Sequence, residues 1–451
     1  MASKLLSNTL PRAAFSNKFV RPLATAASQT TRTTVLPNGF TVATEEHGST
    51  GTATVGVWIN AGSRAETAST NGAANFIQAA ALKNNASTFE KLGGGLNANT
   101  SREQTYYASQ ANAGNLDATV AGLSELVSGD IANIDSVRGS VLKQQVENDN
   151  NLEQVTFDHL HAMAYQGESL GRPVVGVKET VEALTKEDLS AFKKENYAAD
   201  RMVLVGAGNV DHDALVRLAE KTFGQLTNTG VTSSSSKPAF TGSEIRLRDD
   251  VLPQAHIALA VEGASYLSAD YFSLAVMSTL IGSWDQNLGA AANLSSRLST
   301  IVHDNHLANS FTSFNKGYKD TGLWGLYFTS DNKLQLDDFV HFAQKEWIRL
   351  STTVTESEVE RAKQQLQASL LLQLDSNQAI AQDIGSQVLT TGKRLSADEI
   401  KQAVQKVSLA DVRNAGNKYL WDQEVVVTGV GPVECLTDYN RVRGFMSYNR
   451  F

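Results

Sequence analysis

Two pairs of histidines in this 451-residue chain are close enough in sequence to be considered as metal ligands. His159 and His161 are two residues apart, so on a helix they point to different faces. His303 and His306 are three residues apart beside a predicted loop, a placement typical of solvated surface side chains. The single cysteine, Cys435, excludes an intrachain disulfide and fits a reducing compartment. Neither histidine pair indicates a metal site.

The composition is that of a globular protein with a sizeable core. Hydrophobic residues make up 41% of the chain and aromatic residues 7%, which are normal shares for folded domains. Because no run of about 18 apolar residues occurs, we expect no transmembrane helix. The formal net charge of −8 argues against nucleic acid as the main partner.

The N-terminal segment differs from the rest of the chain. The first 32 residues carry five positive side chains, and no acidic residue occurs before Glu45. The segment is rich in Ser, Ala and Thr, a composition typical of a mitochondrial transit peptide; a disordered basic tail is the alternative. We expect a transit peptide over residues 1–28, cleaved between Leu23 and Ser28. Its removal takes the formal charge from −8 to −12.

The elements that must position any site alternate between strands and helices. Alternating runs around a Pro-Asn-Gly turn predict a β-hairpin over Thr33–Glu46. A further strand is predicted over Thr52–Ser63, and apolar residues at helical spacing predict a helix over Asn71–Leu82. A second pair of strands and a helix near Asp117–Ser128 follow, and then a long helix that begins at Asp135 or Ser136 and carries an interrupted apolar stripe.

The second half of the chain repeats the first. "LTKEDLSAF…RMVLVGAGNV" returns as "VSLADVRNA…EVVVTGVGPV" at a constant offset of 223 residues, which matches Asp188 to Asp411 and Gly206 to Gly429. Between the halves, four consecutive serines followed by Lys-Pro are typical of a linker. We therefore predict a duplicated α+β fold. Its predicted parts are the domains 29–228 and 242–451 and the linker 229–241.

Several longer motifs are specific enough to indicate a family. They include "LPNGFTVAT", "GVWINAGSRAET", "LNANTSREQTYYA", "FDHLHAMAYQGESLGRP" and "VERAKQQL". Together they resemble mitochondrial processing peptidase and the core proteins of ubiquinol–cytochrome c reductase (respiratory complex III), pitrilysin-like proteins with an inverted zinc motif. "RLRDDVLPQAHIALAVEG" and "RVRGFMSYNRF" are most similar to the fungal core proteins. The resemblance implies two processing-peptidase-like domains, each a mainly antiparallel sheet packed with helices.

The resemblance also implies where a zinc site would lie. Active members carry His-x-x-Glu-His on the helix after "AGSR", and a Glu on a later helix is the third ligand. In this sequence Asn75 and Ala79 stand at the two His positions, Gln78 at the Glu between them, and Gln144 at the third ligand. Open four-coordinate zinc needs all three ligands, and an amide cannot serve as general base near pH 7. We therefore expect a degenerate site with no catalytic residue, no metal and no other cofactor.

A second family feature is only partly present. In the peptidase, an acidic pair after the third ligand holds a substrate arginine, and the matching positions are Gln154 and Asp158. One carboxylate of the two is kept. Pairing of Asp158 within the fold is the favoured interpretation.

Three functions follow from the resemblance. The first is a structural subunit of complex III and not an enzyme, on the matrix side of the mitochondrial inner membrane. Its partners would be core protein 2, cytochrome b, cytochrome c1 and the iron–sulfur protein. The second is a subunit of a working presequence peptidase whose partner supplies the catalytic site. The third is a peptide-binding module or chaperone that uses the inherited cleft.

Overall fold

Two six-stranded sheets, one from each half of the chain, organise the fold. The computed structural model describes residues 30–46, 51–228, 236–288 and 296–448. The predicted transit peptide and residues 229–235 of the predicted linker lie outside the described residues.

The described part of the first half alternates strands and helices, as the sequence pattern predicts. Its elements, in chain order, are β1 (Arg32–Val35), β2 (Thr41–Glu46), β3 (Thr52–Ile59), α1 (Ala73–Lys91), β4 (Gly95–Thr100), β5 (Thr105–Asn112), α2 (Leu116–Ser128), α3 (Ile134–Asp149), α4 (Leu152–Ala164), α5 (Lys178–Ala183), α6 (Lys186–Asn196), β6 (Met202–Gly208) and α7 (His212–Phe223).

The described part of the second half follows the same plan and adds helices near its end. Its elements are β7 (Ser243–Arg248), β8 (Ala255–Gly263), α8 (Tyr271–Ile281), β9 (Ser283–Asp285), α9 (Arg297–Asn305), β10 (Ser310–Gly317), β11 (Gly322–Ser330), α10 (Leu336–Thr352), α11 (Glu356–Leu372), α12 (Asn377–Thr391), α13 (Ala397–Lys406), α14 (Leu409–Tyr419), β12 (Val425–Gly431) and α15 (Tyr439–Tyr448). No helix within the described ranges has both the length and the apolar character needed to cross a membrane.

The two sheets share one topology. The strand order is β1-β2-β6-β3-β5-β4 in the first sheet and β7-β12-β8-β11-β10-β9 in the second. Among the described strands, one pair in each sheet is parallel, β2 with β6 and β7 with β12, and the other pairs are antiparallel. The predicted α+β class with two mainly antiparallel sheets is confirmed.

The sequence repeat corresponds to repeated local structure at the helix that precedes β6 and β12. Thr185 caps α6 in a capping box with Asp188, and 223 residues later Ser408 caps α14 in a capping box with Asp411. In both boxes each residue's side chain accepts a hydrogen bond from the backbone N–H of the other residue, which satisfies donors that the helix leaves free.

The strand that follows each of these helices ends at a matched glycine. Gly208 and Gly431 have φ angles of +106° and +103°, a region that L side chains rarely adopt. A Cβ on Gly431 would lie 2.6 Å from the Gln254 carbonyl oxygen, and one on Gly208 would lie 2.6 Å from the Thr52 carbonyl oxygen. The repeated glycines therefore close the same turn in both halves.

Each sheet packs one face against its own helices and the other face against a helix from the opposite half. Helix α12 covers the first sheet, where Ile384 and neighbouring apolar side chains contact Trp58 and Val205. Helix α4 covers the second sheet in the same way, where Phe157 and Leu160 pack on residues of β8, β11 and β12. The two halves thus exchange one helix each and share two of the four apolar cores.

One sequence prediction needs correction at this exchange. The predicted long helix from Asp135 is two helices, α3 and α4, because the chain breaks at Asn150 and Asn151. The Asn151 side chain accepts a hydrogen bond from the backbone N–H of Gln154 at 3.3 Å and so caps a new helix. The break lets α3 stay with the first half while α4 crosses to the second.

Candidate functional site

The helix that carries the degenerate motif, α1, begins at a charged cap supplied from outside the helix. Gly72, at φ +94°, offers no side chain at the N-terminus. The Glu66 carboxylate replaces it and accepts hydrogen bonds from the backbone N–H groups of Gly72 and Ala74 at 2.8 and 2.9 Å, and from Asn71 Nδ2 at 2.8 Å. A carboxylate at this end also meets the positive end of the helix dipole.

Keeping the buried Glu66 carboxylate ionised nevertheless costs free energy. Burial raises the pKa of Glu66 to about 7, although its three hydrogen bonds act in the opposite direction. Desolvation of the charged form outweighs those hydrogen bonds. The start of α1 therefore contains a titratable group near neutral pH, which the sequence pattern alone does not predict.

The four predicted site positions meet between α1, α3 and β4. Asn75 Nδ2 donates a hydrogen bond to Gln144 Oε1 at 3.2 Å, which joins α1 to α3. Gln78 Nε2 donates to the carbonyl oxygen of Ala98 in β4 at 3.1 Å. Ala79 packs its methyl group against the first apolar core. Asn75 and Gln78 are both buried, so these hydrogen bonds replace those that water would make.

This set of side chains does not fit a zinc ion. Asn75 and Gln78 direct N–H groups at protein oxygens, Ala79 has no ligand atom, and the Gln144 oxygen already accepts from Asn75. Zinc in proteins is bound by thiolates, imidazoles and carboxylates. Within the described ranges, no group of three or more His, Cys, Asp or Glu residues could hold a metal ion.

The histidine pairs do not converge on a common point. His161 is fully buried in α4, with Nδ1 2.6 Å from the Phe157 carbonyl oxygen and Nε2 2.6 Å from the Tyr318 hydroxyl. Since a carbonyl only accepts, Nδ1 carries the proton and Nε2 accepts from Tyr318. The rings of His303 and His306 lie 6.5 Å apart at 65°, and His303 contacts the edge of Trp284.

Asp158, the retained member of the acidic pair, has a partner within the chain. Its Oδ1 atom accepts from Arg102 Nη2 at 2.7 Å and from Gln154 Nε2 at 3.2 Å. Arg102 and Asp158 expose only 9% and 14% of their side chains. The favoured interpretation, in which Asp158 pairs within the fold, agrees with this geometry.

A second ionic group joins the two halves and was not predicted. Arg64 binds Glu103 at 2.7 Å within the first half, and it donates to both carboxylate oxygens of Asp320 in the second half, at 2.5 and 3.0 Å. The three side chains are largely buried. A planar guanidinium that bridges two carboxylates fixes the relative position of the segments that carry them.

The duplicated sheets, the exchanged helices and the position of α1 against α3 define a peptidase-type α+β protein built from two related halves. The description "Insulinase (Peptidase family M16)" fits residues 41–178, and "Peptidase M16 inactive domain" fits residues 183–366. The chain belongs to the M16 peptidase family.

Curated relatives resemble the chain over nearly its whole length. It is 48% identical to the probable mitochondrial-processing peptidase subunit beta of Schizosaccharomyces pombe, over 96% of this chain and 98% of that protein. It is 46% identical to the mitochondrial-processing peptidase subunit beta of Lentinula edodes, over 98% and 99%. Among solved structures, it is similar to a chain of complex III from Candida albicans, with a TM-score of 0.85 and 31% identity, over 92% of this chain and 99% of that one.

These relatives correct one prediction. We expected from the amides at the zinc positions that the chain is not an enzyme. That prediction is wrong, because relatives at 40–48% identity over nearly the full length are named as a subunit of a processing peptidase, which is an enzyme. The residue types at four positions of one chain do not decide the class of protein to which that chain belongs.

Proposed function

We propose that the chain is core protein 1, of fungal type, of mitochondrial ubiquinol–cytochrome c reductase, where it supports the assembly and stability of the complex. The single observation that carries this proposal is the similarity to a chain of complex III from Candida albicans, with a TM-score of 0.85 over 92% of this chain and 99% of that one. The similarity extends over both halves of the chain rather than over one domain.

The proposal includes a location and partners. The subunit lies on the matrix side of the inner membrane and contacts core protein 2, cytochrome b, cytochrome c1 and the iron–sulfur protein. The haems and the iron–sulfur centre belong to those partners. Residues 1–28 act as the transit peptide, and the chain divides into domains at 29–228 and 242–451 with the linker 229–241. The mitochondrial names of the relatives support this location.

The α1–α3 site has a structural role in this proposal. The zinc site is lost, and the amides of Asn75 and Gln144 hold the two helices together at 3.2 Å. Gln78 Nε2 donates a hydrogen bond to the carbonyl oxygen of Ala98 at 3.1 Å, which joins α1 to β4. A buried hydrogen bond of this kind contributes about 1 kcal/mol.

A second candidate function is favoured by the names of the relatives. The chain would then be a beta subunit of a mitochondrial processing peptidase. Because Asn75, Gln78, Ala79 and Gln144 do not fit zinc, the metal chemistry would come from a different chain, and this chain would help to hold the substrate.

One preparation tests both candidates. The tagged full-length chain is purified from mitochondria in mild detergent, and the eluate is examined by a reduced-minus-oxidised absorption spectrum and by cleavage of a presequence peptide. For a complex III subunit we expect haem b and haem c bands in stoichiometric amount. Cleavage without haem bands would overturn the first proposal and support the second.

A chelator and a matched variant show which chain carries any cleavage activity. If cleavage occurs and 1,10-phenanthroline abolishes it, a zinc site on another chain is responsible, and the N75A/Q144A variant should cleave as well as the unchanged chain. A loss of cleavage in a folded N75A/Q144A variant would contradict the structural role given to this amide pair.

A further inference from the structure

A cavity of about 460 Å³ lies where the two halves meet. One wall is aromatic and consists of Tyr266, Tyr271 and Phe272, at and before the start of α8. The facing wall is aliphatic, with Leu366 and Leu370 on α11 and Ile400 on α13. Its volume lies within the range of small-molecule sites, about 300–1,000 Å³, and such sites are mostly apolar with a few polar groups.

Two rings of the aromatic wall pack directly on the backbone of a glycine. A Cβ on Gly317, at the end of β10, would lie 2.8 Å from a ring carbon of Tyr266 and 2.9 Å from one of Tyr271. The two rings lie 5.7 Å apart at 54°. Both rings therefore pack against the backbone of Gly317, where any side chain would clash with them, while Tyr266 remains 42% exposed and leaves this end of the wall open to solvent.

The two tyrosines give this wall its polar groups. Within the part of the chain that the structure describes, neither the Tyr266 hydroxyl nor the Tyr271 hydroxyl makes a hydrogen bond to another residue. Partial burial raises the pKa of both phenols, and a phenol is in any case protonated at neutral pH and able to donate. Tyr318, by contrast, already donates its hydroxyl proton to His161.

The charged residues that line the cavity are already paired. Arg102 binds Asp158 at 2.7 Å, and Glu103 binds Arg64 at 2.7 Å. Asp383 accepts from Arg394 Nε at 2.8 Å and from Gln387 Nε2 at 2.7 Å. A charged ligand would have to be desolvated without a free counter-ion, which is costly.

We propose that this cavity binds a neutral, mainly apolar small molecule whose carbonyl oxygen accepts hydrogen bonds from the hydroxyls of Tyr266 and Tyr271. The apolar body of the ligand lies between the aromatic wall and the leucines of α11. This site is separate from the degenerate motif on α1, and it does not depend on membership of a larger complex.

Benzophenone is a suitable probe, because it is neutral and aromatic, carries a carbonyl oxygen, and attaches to nearby C–H bonds on irradiation. The purified full-length chain is irradiated with increasing benzophenone, and the attachment sites are located by peptide mass spectrometry. We expect saturable labelling centred on Leu366 and Leu370. Acetophenone should compete, while octanoate, an apolar anion, should not compete at the same concentration.

Two variants and a control test the assignment. Y266F/Y271F removes only the two hydroxyls and should raise the half-saturating concentration about 4- to 100-fold, at roughly 2- to 10-fold for each hydrogen bond. Leu370→Trp should fill the cavity and abolish labelling. Tyr106→Phe, at a tyrosine outside the cavity that stacks on Trp58, should change nothing.

Circular dichroism establishes that each variant is folded before it is labelled. Labelling that rises linearly with concentration or spreads over the surface would overturn the proposal. Equal competition by octanoate, or unchanged half-saturation in folded Y266F/Y271F, would overturn it as well.

Discussion

The indole ring of Trp58, on β3, lies directly against the backbone of Gly385 in α12, so that at this point the helix from the opposite half places no side chain between its backbone and the ring. A Cβ on Gly385 would lie within 2.6 Å of three atoms of the ring. Trp58 is 1% exposed, so the ring cannot turn out into solvent without opening the packing around it. This contact sets how closely α12 approaches the first sheet.

Gly385→Ala is therefore expected to destabilise the protein by about 1–3 kcal/mol, the usual cost of overpacking a buried site. Urea unfolding monitored by circular dichroism measures this change. Gly139→Ala is the matched control, because Gly139 also lies within a helix but a Cβ there would meet nothing within 4 Å. The control should stabilise by about 0.5–1 kcal/mol, since alanine favours the helix. Equal effects of the two changes would contradict the packing argument.

Asp320→Ala should loosen the junction between the halves. Arg64 exposes 10% of its side chain and Asp320 23%, and the change leaves a largely buried guanidinium with Glu103 as its remaining carboxylate partner in this group. We expect a loss of about 1–3 kcal/mol in the free energy of unfolding. Asp213→Asn, which removes an exposed ion pair with Arg32, should cost less than about 1 kcal/mol. If the two losses are the same, the buried bridge contributes no more than a surface pair.

Stability should depend on pH through Glu66. The folded pKa of Glu66 is about 7 and its ordinary value is 4.5, so the folded protein binds the proton more tightly than the unfolded chain. The contribution is fully present below pH 4.5 and is lost as pH rises through 7. Between pH 5 and pH 8 we expect the free energy of unfolding to fall by about 1–3 kcal/mol from this group.

Glu66→Gln separates this effect from other titrations. The variant keeps an oxygen acceptor at the start of α1 but cannot ionise, so the difference between it and the unchanged protein should vary with pH as above. Chemical denaturation at five or six pH values between 5 and 8 measures the difference. A difference that stays constant over this range would show that Glu66 does not titrate there.

Restoring the ligand set should create a zinc site. In the variant N75H/Q78E/A79H/Q144E, two imidazoles lie one helical turn apart on α1 and face a carboxylate on α3. We expect about one zinc ion per chain by metal analysis and calorimetry. Presequence cleavage need not return, because residues around the ligands are also required. Stoichiometric, high-affinity zinc on the unchanged chain would contradict the donor argument.

The sequence repeat predicted the duplicated α+β fold because it falls on capping boxes and glycines, which are local features. Asp188 and Asp411 can be matched in sequence since each acts within one helical turn. The exchange of α4 and α12 could not be predicted in this way. An apolar stripe such as Phe157 and Leu160 shows that a helix face is buried, but it does not show which sheet buries it.

The candidate site, like the fold, could be predicted from the sequence only in part. Alignment by resemblance placed Asn75 and Gln144 at matching positions, and the structure brings them within 3.2 Å. The hydrogen bond of Gln78 to Ala98 and the bridge of Arg64 to Asp320 join residues 20 and 256 positions apart, which no spacing encodes. The cap by Glu66 is local, but it depends on the loop between Glu66 and Gly72 folding back on the start of α1. Three-dimensional proximity of charged residues more than 200 positions apart is decided by the packing of the halves.

The exchange of helices makes each half of the chain part of the other half's fold. Because α4 covers the second sheet and α12 covers the first, separating the halves would leave an apolar face of each sheet open to water. Neither half is therefore a self-sufficient folding unit, and a chain cut between them should yield two fragments that aggregate unless they are combined.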